Sequence, residues 1–436
     1  MEVVGPYLFI PFALFLVMGV PVAFSLGIAC MVFLFFAPGV HIPPLIIVTE
    51  MFTAVSQFAL LALPMFVLTG ELLNRCDLTQ KLVDFAQLLV GWIKGGLAHV
   101  NIVTSMFFAG ISGSVIADAA SLGPILIPAM IREKYPRDFS AAVTAASAVI
   151  GAIIPPSTVM IIIGAQLQIS IGGMFAGGLI PGVMVGVFLM IVAYVICKRK
   201  DYGEVTKIQG PVAVTKGAWD ALPALLIPVL LLGGILTGTF TPTEGGAVAV
   251  AYTLVVGFVI YRTLNIKKLI GALTATAKVT ASALIIVATA LVFSRILTFF
   301  RIPQEILELI VSITDNRIFL VVLIVVFFLI MGTFMDAVAN MIILGPLLMP
   351  LATSELGLGM TDIQFGIFLM IGLLLGLVTP PLGLLLFITG PIAGTTLEKT
   401  SLAVLPFLAA EIVVLFLVAF VPAITMWIPI SAGLGG

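Results

Sequence analysis

From residue 3 to residue 430 the chain is never far from a long apolar run. That feature narrows the fold more than any motif. Hydrocarbon offers no water to an unpaired N–H or C=O, so a bilayer-spanning chain must satisfy its backbone within helices or a closed barrel. Alternating barrel patterning is absent, and the apolar runs far exceed barrel strands of about 9–11 residues. Hydrophobic residues make up 61% of the 436 and charged residues 9%. Soluble chains carry about 45–50% and about 25%. The chain therefore reads as an all-α polytopic membrane protein. Its 42 Gly and 26 Pro are too many for plain spanning helices.

Several functions drop out at once. A net charge of -1 leaves no basic face for nucleic acid. Cys30, Cys76 and Cys197 are scattered and offer neither a disulfide framework nor metal spacing. No Gly-rich turn ends in Gly-Lys-Ser/Thr, so the chain does not hydrolyse ATP itself. The N-terminal MEVVGPY lacks the basic region of a signal peptide, and the first helix is expected to be retained.

Charge sets the expected topology. Of 19 Lys and Arg, 14 sit in four segments: 74–94, 131–138, 198–218 and 262–268. The positive-inside rule makes these cytoplasmic. Segments 37–44, 239–243 and 351–362 carry no Lys or Arg and are placed outside. Arg301 and Arg317 fit less well, lying in an outer segment beside Glu305, Glu308 and Asp315. Residues 97–130 have basic flanks on both sides, yet are too short for two crossings of about 20 residues each. Their centre, Gly110 to Ser114, is turn chemistry. A helical hairpin that turns inside the membrane is expected there, and another, of opposite entry, over about 318–350. Residues 78–93 read as an interfacial amphipathic helix, with 303–313 as its outer counterpart.

The halves repeat. Gly151, Pro155, Pro156 and Pro181 recur as Gly376, Pro380, Pro381 and Pro406 at a shift of 225. Leu122-Gly123-Pro124 with Pro128 recurs as Leu344-Gly345-Pro346 with Pro350 at a shift of 222. The expected organisation is a first inverted repeat over 1–197, with its hairpin at about 97–130 and a broken helix at about 139–169. A cytoplasmic linker follows at 198–218. The second repeat covers 219–436, with a hairpin at about 318–350 and a broken helix at about 363–391. Inverted repeats with interrupted helices point to a secondary transporter with its site near the midplane.

Each proline in the two Pro-Pro pairs removes a donor and clashes with the preceding turn. Carbonyls near Gly151 and Ala152, and their counterparts before Pro380, lose partners. Such oxygens need a ligand, and a small hard cation suits them. Small residues at the hairpin tips, Ser112, Gly113 and Ser114, then Gly332 and Thr333, allow close backbone approach. Half-helix N-termini beside the breaks direct positive dipole ends inward and suit a carboxylate. Asp118 and Asp336 follow their tips. Each is a candidate to ligate a cation, carry a proton or cap a helix. The Asn340 amide is a candidate to grip substrate. Glu244, in TPTEGG, reads as a helix-start residue. Lys278 is placed to snorkel to the inner surface, and Arg295 lies near the outer end of the same run.

These residues resemble a family. SGSVIADAASLG (112–123), IIPPS (153–157), FTPTEGGAVAVAY (240–252), MGTFMDAVAN (331–340) and VTPPLG (378–383) are similar to the large membrane subunit of tripartite ATP-independent periplasmic (TRAP) transporters, the DctM type. The resemblance covers nearly the whole chain. It implies an elevator-type carrier of the ion-transporter superfamily in the bacterial inner membrane. It also implies a separate small four-helix membrane subunit and a periplasmic substrate-binding protein as partners. About two sodium ions would travel with an organic acid such as a C4-dicarboxylate or sialic acid. Carried over, the first sodium site falls on Ser112, Gly113 and Ser114 with Gly151, Pro155, Pro156 and Ser157. The second falls on Gly332, Thr333 and Asp336 with Gly376, Thr379, Pro380, Pro381 and Gly383. Substrate is expected against Ser114, Asp118, Ser157, Thr158, Asn340 and Thr379.

A stand-alone proton- or ion-coupled organic anion carrier of the same superfamily is the alternative, kept open by Asp118 and Asp336. An intramembrane protease is the contrasting class, since Gly110-Ile111-Ser112-Gly113 resembles the rhomboid serine motif. That chemistry needs a histidine base on another helix. The chain has only His41 and His99, and neither follows Ser112. No catalytic residue is assigned.

Overall fold

A computed structural model describes residues 4–40, 42–76, 78–203, 209–313, 316–354 and 357–435. His41 and Asp315, named above, and Lys207 of the basic 198–218 segment lie outside the described residues. Among the described residues every regular element is a helix. Eight helices among the described residues are long and apolar enough to cross a membrane. The chain is a multi-pass membrane protein.

Prolines and glycines punctuate the helices where backbone chemistry requires it. The first apolar stretch divides into Gly5–Val17 and Val22–Phe36. The break is made by Gly19, at φ +80°, and Pro21. Leu45–Val55 and Ala62–Arg75 follow. Leu78–Val90 buries Leu78, Leu82, Val83 and Ala86 at helical spacing and turns Gln80 and Asp84 outward. Its later counterpart is Ile302–Ile313. Thr241 and Glu244 form a reciprocal capping box at the start of Pro242–Val255, so Glu244 is a helix-start residue.

Two helix pairs and two interrupted helices carry the rest. The first pair is Gly96–Ser112 and Val115–Arg132. The first interrupted helix has 13 residues, Arg137–Val149, before its break and 10, Thr158–Leu167, after it. The second pair is Arg317–Phe334 and Ala337–Thr353. The second interrupted helix runs 15 residues, Asp362–Gly376, then 10, Leu384–Ala393. Both Pro-Pro bonds, 155–156 and 380–381, are cis. Each arm of the first pair has 17 or 18 residues, about 26 Å at the helical rise.

Helical structure enters the basic 198–218 segment from both sides. Ile171–Lys200 continues through Lys198, Arg199 and Lys200. Cations in a last turn suit the helix dipole, and Asp201 at φ +57° closes the helix. The next helix begins at Pro211. Lys94 donates to Asp201 Oδ1 at 2.7 Å and to the Gly203 carbonyl at 2.8 Å, tying the start of the first pair to this corner. That ammonium holds the Asp201 carboxyl below the ordinary carboxylate value.

The helices form two interlocked sets, and Ile266–Phe299 of one packs on Ala337–Thr353 of the other as it does on Ala62–Arg75. The interrupted helices pack on the two pairs and on Leu397–Phe420. Arg137, at the start of the first interrupted helix, donates to the Ala393 carbonyl at the end of the second, at 2.8 Å. In the other set, Ala62–Arg75 packs on Pro242–Val255 and Ile266–Phe299. The three native cysteines are buried and form no disulfide among the described residues, so an introduced exposed cysteine is read against a silent background. Thr239→Cys, in an exposed turn, should react with an impermeant maleimide on intact cells. Gln209→Cys should react only after permeabilisation. The reverse pattern overturns the charge-based orientation.

Candidate functional site

The first pair turns on one residue. Ser112 ends one arm, Ser114 precedes the other, and Gly113 between them sits at φ +58°. Only glycine fits there. A Cβ would lie 2.6 Å from the Pro156 carbonyl oxygen. The turn is clasped to the break: Thr158 donates its N–H to the Gly113 carbonyl at 3.2 Å and its hydroxyl to the same oxygen at 2.9 Å. The clasp puts the tip at the level of the interruption. Ser114 and Ser157 are both helix N-caps, accepting from Ala117 N–H and Met160 N–H at 3.4 and 3.3 Å.

The second pair turns at Met335. Gly332 and Thr333 belong to the last helical turn of Arg317–Phe334. The Gly332 and Gly376 backbones touch, and neither position has room for a Cβ. Asp336 caps Ala337–Thr353, accepting from Val338 and Ala339 N–H at 2.9 and 3.3 Å. The break covers Leu377–Gly383. There the Thr379 hydroxyl donates to Leu375 and its N–H to the Gly376 carbonyl. In the first break no donor among the described residues reaches the carbonyls of Gly151 or Ala152. Bare carbonyls and hydroxyls suit a hard monovalent cation. Among the described residues no cluster of three His, Cys, Asp or Glu forms a metal site of the transition-metal kind.

The two acids after the tips do different work. The shift of 222 pairs Ser114 with Asp336 and Asp118 with Asn340. The structure follows that pairing, because Ser114 and Asp336 are the caps. Asp118 caps nothing. It is 1% exposed, and its Oδ1 accepts from the Ser105 hydroxyl at 3.2 Å. Ser105 lies 3.2 Å from the Ser147 hydroxyl, which donates to Asn101 Oδ1 at 3.1 Å. Asn101 Nδ2 donates to Thr144 at 2.6 Å.

A cavity of about 360 Å³ opens beside the tips. Of the residues expected to hold substrate or cation, Ser112, Ser114, Thr158 and Asp336 line it. Asp118, Asn340, Ser157, Thr333 and Thr379 do not. Three helix N-termini face it, at Val115, Thr158 and Ala337. Each brings unsatisfied N–H groups and a positive dipole end. The rest of the wall is largely apolar: Leu63, Val67, Val279, Leu374 and Leu377. Glu71 and Asn74 line it from the far side, from the last turns of Ala62–Arg75. No lysine or arginine lines it among the described residues.

Sequence reasoning passes over this second wall and the chain from Asn101 to Ser147. Glu71 sits beside basic Arg75 and has the look of surface charge. The buried chain has a signal: Asn101 and Ser105 lie four residues apart, as do Ser140 and Thr144, with Ser147 next on the same face. A polar stripe at helical spacing in an apolar run marks two helices that face each other.

The family model of the "Tripartite ATP-independent periplasmic transporter, DctM component" matches residues 9–424. The chain belongs to the DctM family. Its relatives include the sialic acid TRAP transporter large permease SiaM of Vibrio cholerae, 37% identical over 94% of this chain and 95% of that protein. The C4-dicarboxylate large permease DctM of Pseudomonas aeruginosa is 34% identical over 87% and 88%. The isethionate permease DctMQ of Oleidesulfovibrio alaskensis is 36% identical over 97% of this chain, which spans 66% of that protein's length. Among solved structures, the Alcanivorax borkumensis YdaH transporter matches with a TM-score of 0.64 at 16% identity, over 99% of this chain and 100% of that one. That likeness concerns the fold alone. The DctM-family relatives are transporter permeases, and the chain is not an enzyme.

The clasp makes Gly113 testable. Gly113→Ala forces a Cβ onto the Pro156 carbonyl at a φ disfavoured for alanine. It should destabilise the purified protein by about 1–3 kcal/mol, read by thermal melting. An unchanged melting temperature means the tip is not held against the break.

Proposed function

We propose that this DctM-family permease takes up an organic anion across the bacterial inner membrane, driven by sodium. The observation that carries the reading is the convergence of the Val115, Thr158 and Ala337 N-termini on one cavity. An anion there meets main-chain N–H groups and dipole ends rather than cationic side chains. Ser114 and Thr158 hydroxyls stand beside it.

Glu71 and Asp336 also line that cavity, so an anion alone would meet like charge. Cations at the tips would offset this. Ser112 to Ser114 with Gly151 and Pro155 to Ser157 would hold one sodium ion. Gly332, Thr333 and Asp336 with Gly376, Thr379 to Pro381 and Gly383 would hold the other. The bare Gly151 and Ala152 carbonyls support the first. Substrate and ions would then bind together or poorly.

The interrupted helices and pairs would move as one body against the set built on Ala62–Arg75 and Ile266–Phe299, an elevator motion. The Arg137–Ala393 hydrogen bond supports the unity of that body. The relatives' names carry sialic acid, C4-dicarboxylate and isethionate, all organic anions, and one of these classes is the expected cargo. A small membrane subunit and a periplasmic binding protein would complete the system. The longer DctMQ relative has room for a fused small subunit.

Thermal melting in detergent tests the cation half. Ligand bound only to the folded state stabilises it by RT ln(1 + [L]/Kd), about 2.7 kcal/mol at a hundredfold excess. Sodium should raise the melting temperature where choline or potassium at equal ionic strength does not. Thr333→Leu should remove part of the rise. Equal melting in all three salts argues against sodium coupling and favours a proton-coupled carrier.

A further inference from the structure

The helix Ala62–Arg75 turns Leu63, Val67, Gly70, Glu71 and Asn74 toward the cavity. They stand at i, i+4, i+7, i+8 and i+11, which is one helical face. That face is apolar until its last turns, where it ends in Glu71 and Asn74. Gly70 sets how close it comes. A Cβ there would lie 3.2 Å from Ser112 Cα, so the helix rests on the tip of the first pair. Glu71 is the next residue, and Asn74 lies about 6 Å beyond Gly70 along the axis.

The hydrogen-bond polarity of this wall is set by its neighbours. Arg75 donates to Glu71 Oε2 at 3.4 Å and to the Gly271 carbonyl at 3.1 Å. The guanidinium is thereby held off the cavity, which Arg75 does not line. No donor among the described residues reaches Glu71 Oε1. The Thr79 hydroxyl donates to Asn74 Oδ1 at 3.2 Å, which leaves the amide Nδ2 as the open donor. The wall thus offers one acceptor and one donor on adjacent turns.

A carboxylate oxygen only accepts, and an amide nitrogen only donates. A ligand hydroxyl does both and satisfies the pair. A second carboxylate on the ligand has nothing to donate to Glu71, and a methyl group answers neither. The Arg75 pairing offsets the Glu71 charge, so the wall calls for hydrogen bonds rather than for a cation.

We propose that Glu71 and Asn74 select a hydroxy acid. Its acid group sits on the N-termini at Val115, Thr158 and Ala337, and a hydroxyl a few carbons away donates to Glu71 and accepts from Asn74. The proposal rests on the anion-carrier reading above and narrows its cargo to a hydroxylated monoanion. A dianion would press two acceptor-only groups together at Glu71 and is rejected there. Acid and hydroxyl are read by different sets of helices, the first by the pairs and the break, the second by Ala62–Arg75.

The test is binding to the purified full chain in sodium buffer, scored as the ligand concentration giving half the maximal rise in melting temperature. The probes are straight-chain carboxylates of about four to six carbons, a reach matched to the helical advance. Within each length they differ only at the far end: methyl, hydroxyl, ammonium or a second carboxylate. The hydroxy acid should bind about tenfold tighter than the unsubstituted acid, the worth of one hydrogen bond to a charged group, and the dicarboxylate should bind weakest. Glu71→Ala should remove the hydroxyl's advantage. Glu71→Gln, whose amide can donate, should raise the dicarboxylate at least to the level of the unsubstituted acid. A purely structural role for Glu71 would weaken all four probes alike and leave their order intact, and that result overturns the proposal. So does an ammonium probe that binds tighter than the hydroxy acid, since the wall then reads charge. If the hydroxy acid gains nothing over the unsubstituted acid, selection by Glu71 and Asn74 fails while anion binding stands. If no probe raises the melting temperature of the wild type, the anion reading falls and this proposal with it. Should the Glu71 variants not fold, Asn74→Ala replaces them, with the same expected loss of the hydroxyl's advantage.

Discussion

Thr158 spends two donors on one acceptor, the Gly113 carbonyl, and the site is built around that choice. An interrupted helix in hydrocarbon leaves backbone groups that nothing in the lipid can satisfy. The turn of the first helix pair has the same difficulty. Each solves the other's problem when they meet. The meeting is possible only because Gly113 has no side chain and adopts a left-handed backbone, so that the Pro156 carbonyl can pass where a Cβ would stand. The second repeat reaches the same end by another route, with Gly332 lying against Gly376.

From this clasp the electrostatics follow. Two helices start within a few residues of the junction, one after Ser114 and one after Ser157. A third arrives from the other repeat after Asp336. Their first-turn N–H groups have no intrahelical partners, and the cavity lies where those turns converge. The acids on its wall set a balance that no lysine or arginine among the described residues supplies.

Much of this is legible in residues alone. Apolar length with proline punctuation specifies a polytopic helical protein. The repeat offsets mark both breaks, because a proline pair inside an apolar run strips two donors from one stretch of helix and the helix must stop there. The roles of the acids are less legible. Asp118 and Asp336 look alike when each is counted from its tip. The 222 offset separates them only when it is applied residue by residue rather than cluster by cluster. Gly332 and Thr333 suggest a turn by composition, yet the helix continues to Phe334. In a membrane, a glycine within a helix can mark close packing as easily as a turn. The cavity's far wall is not legible at all. Which helix of the other set faces the tips is decided by packing between segments far apart in sequence, and no local pattern encodes it.

The cavity's main polar donors belong to the main chain. Such donors have no alleles: a point mutation can displace a helix start but cannot delete its amides. What mutation can change freely is the apolar wall, where Leu63, Val67, Leu374 and Leu377 face the same space. In the proposed carrier, recognition of negative charge and recognition of molecular shape are therefore inherited separately. The first is fixed with the fold. The second is open to drift, one side chain at a time, and the same scaffold can acquire a new cargo without surrendering its hold on anions.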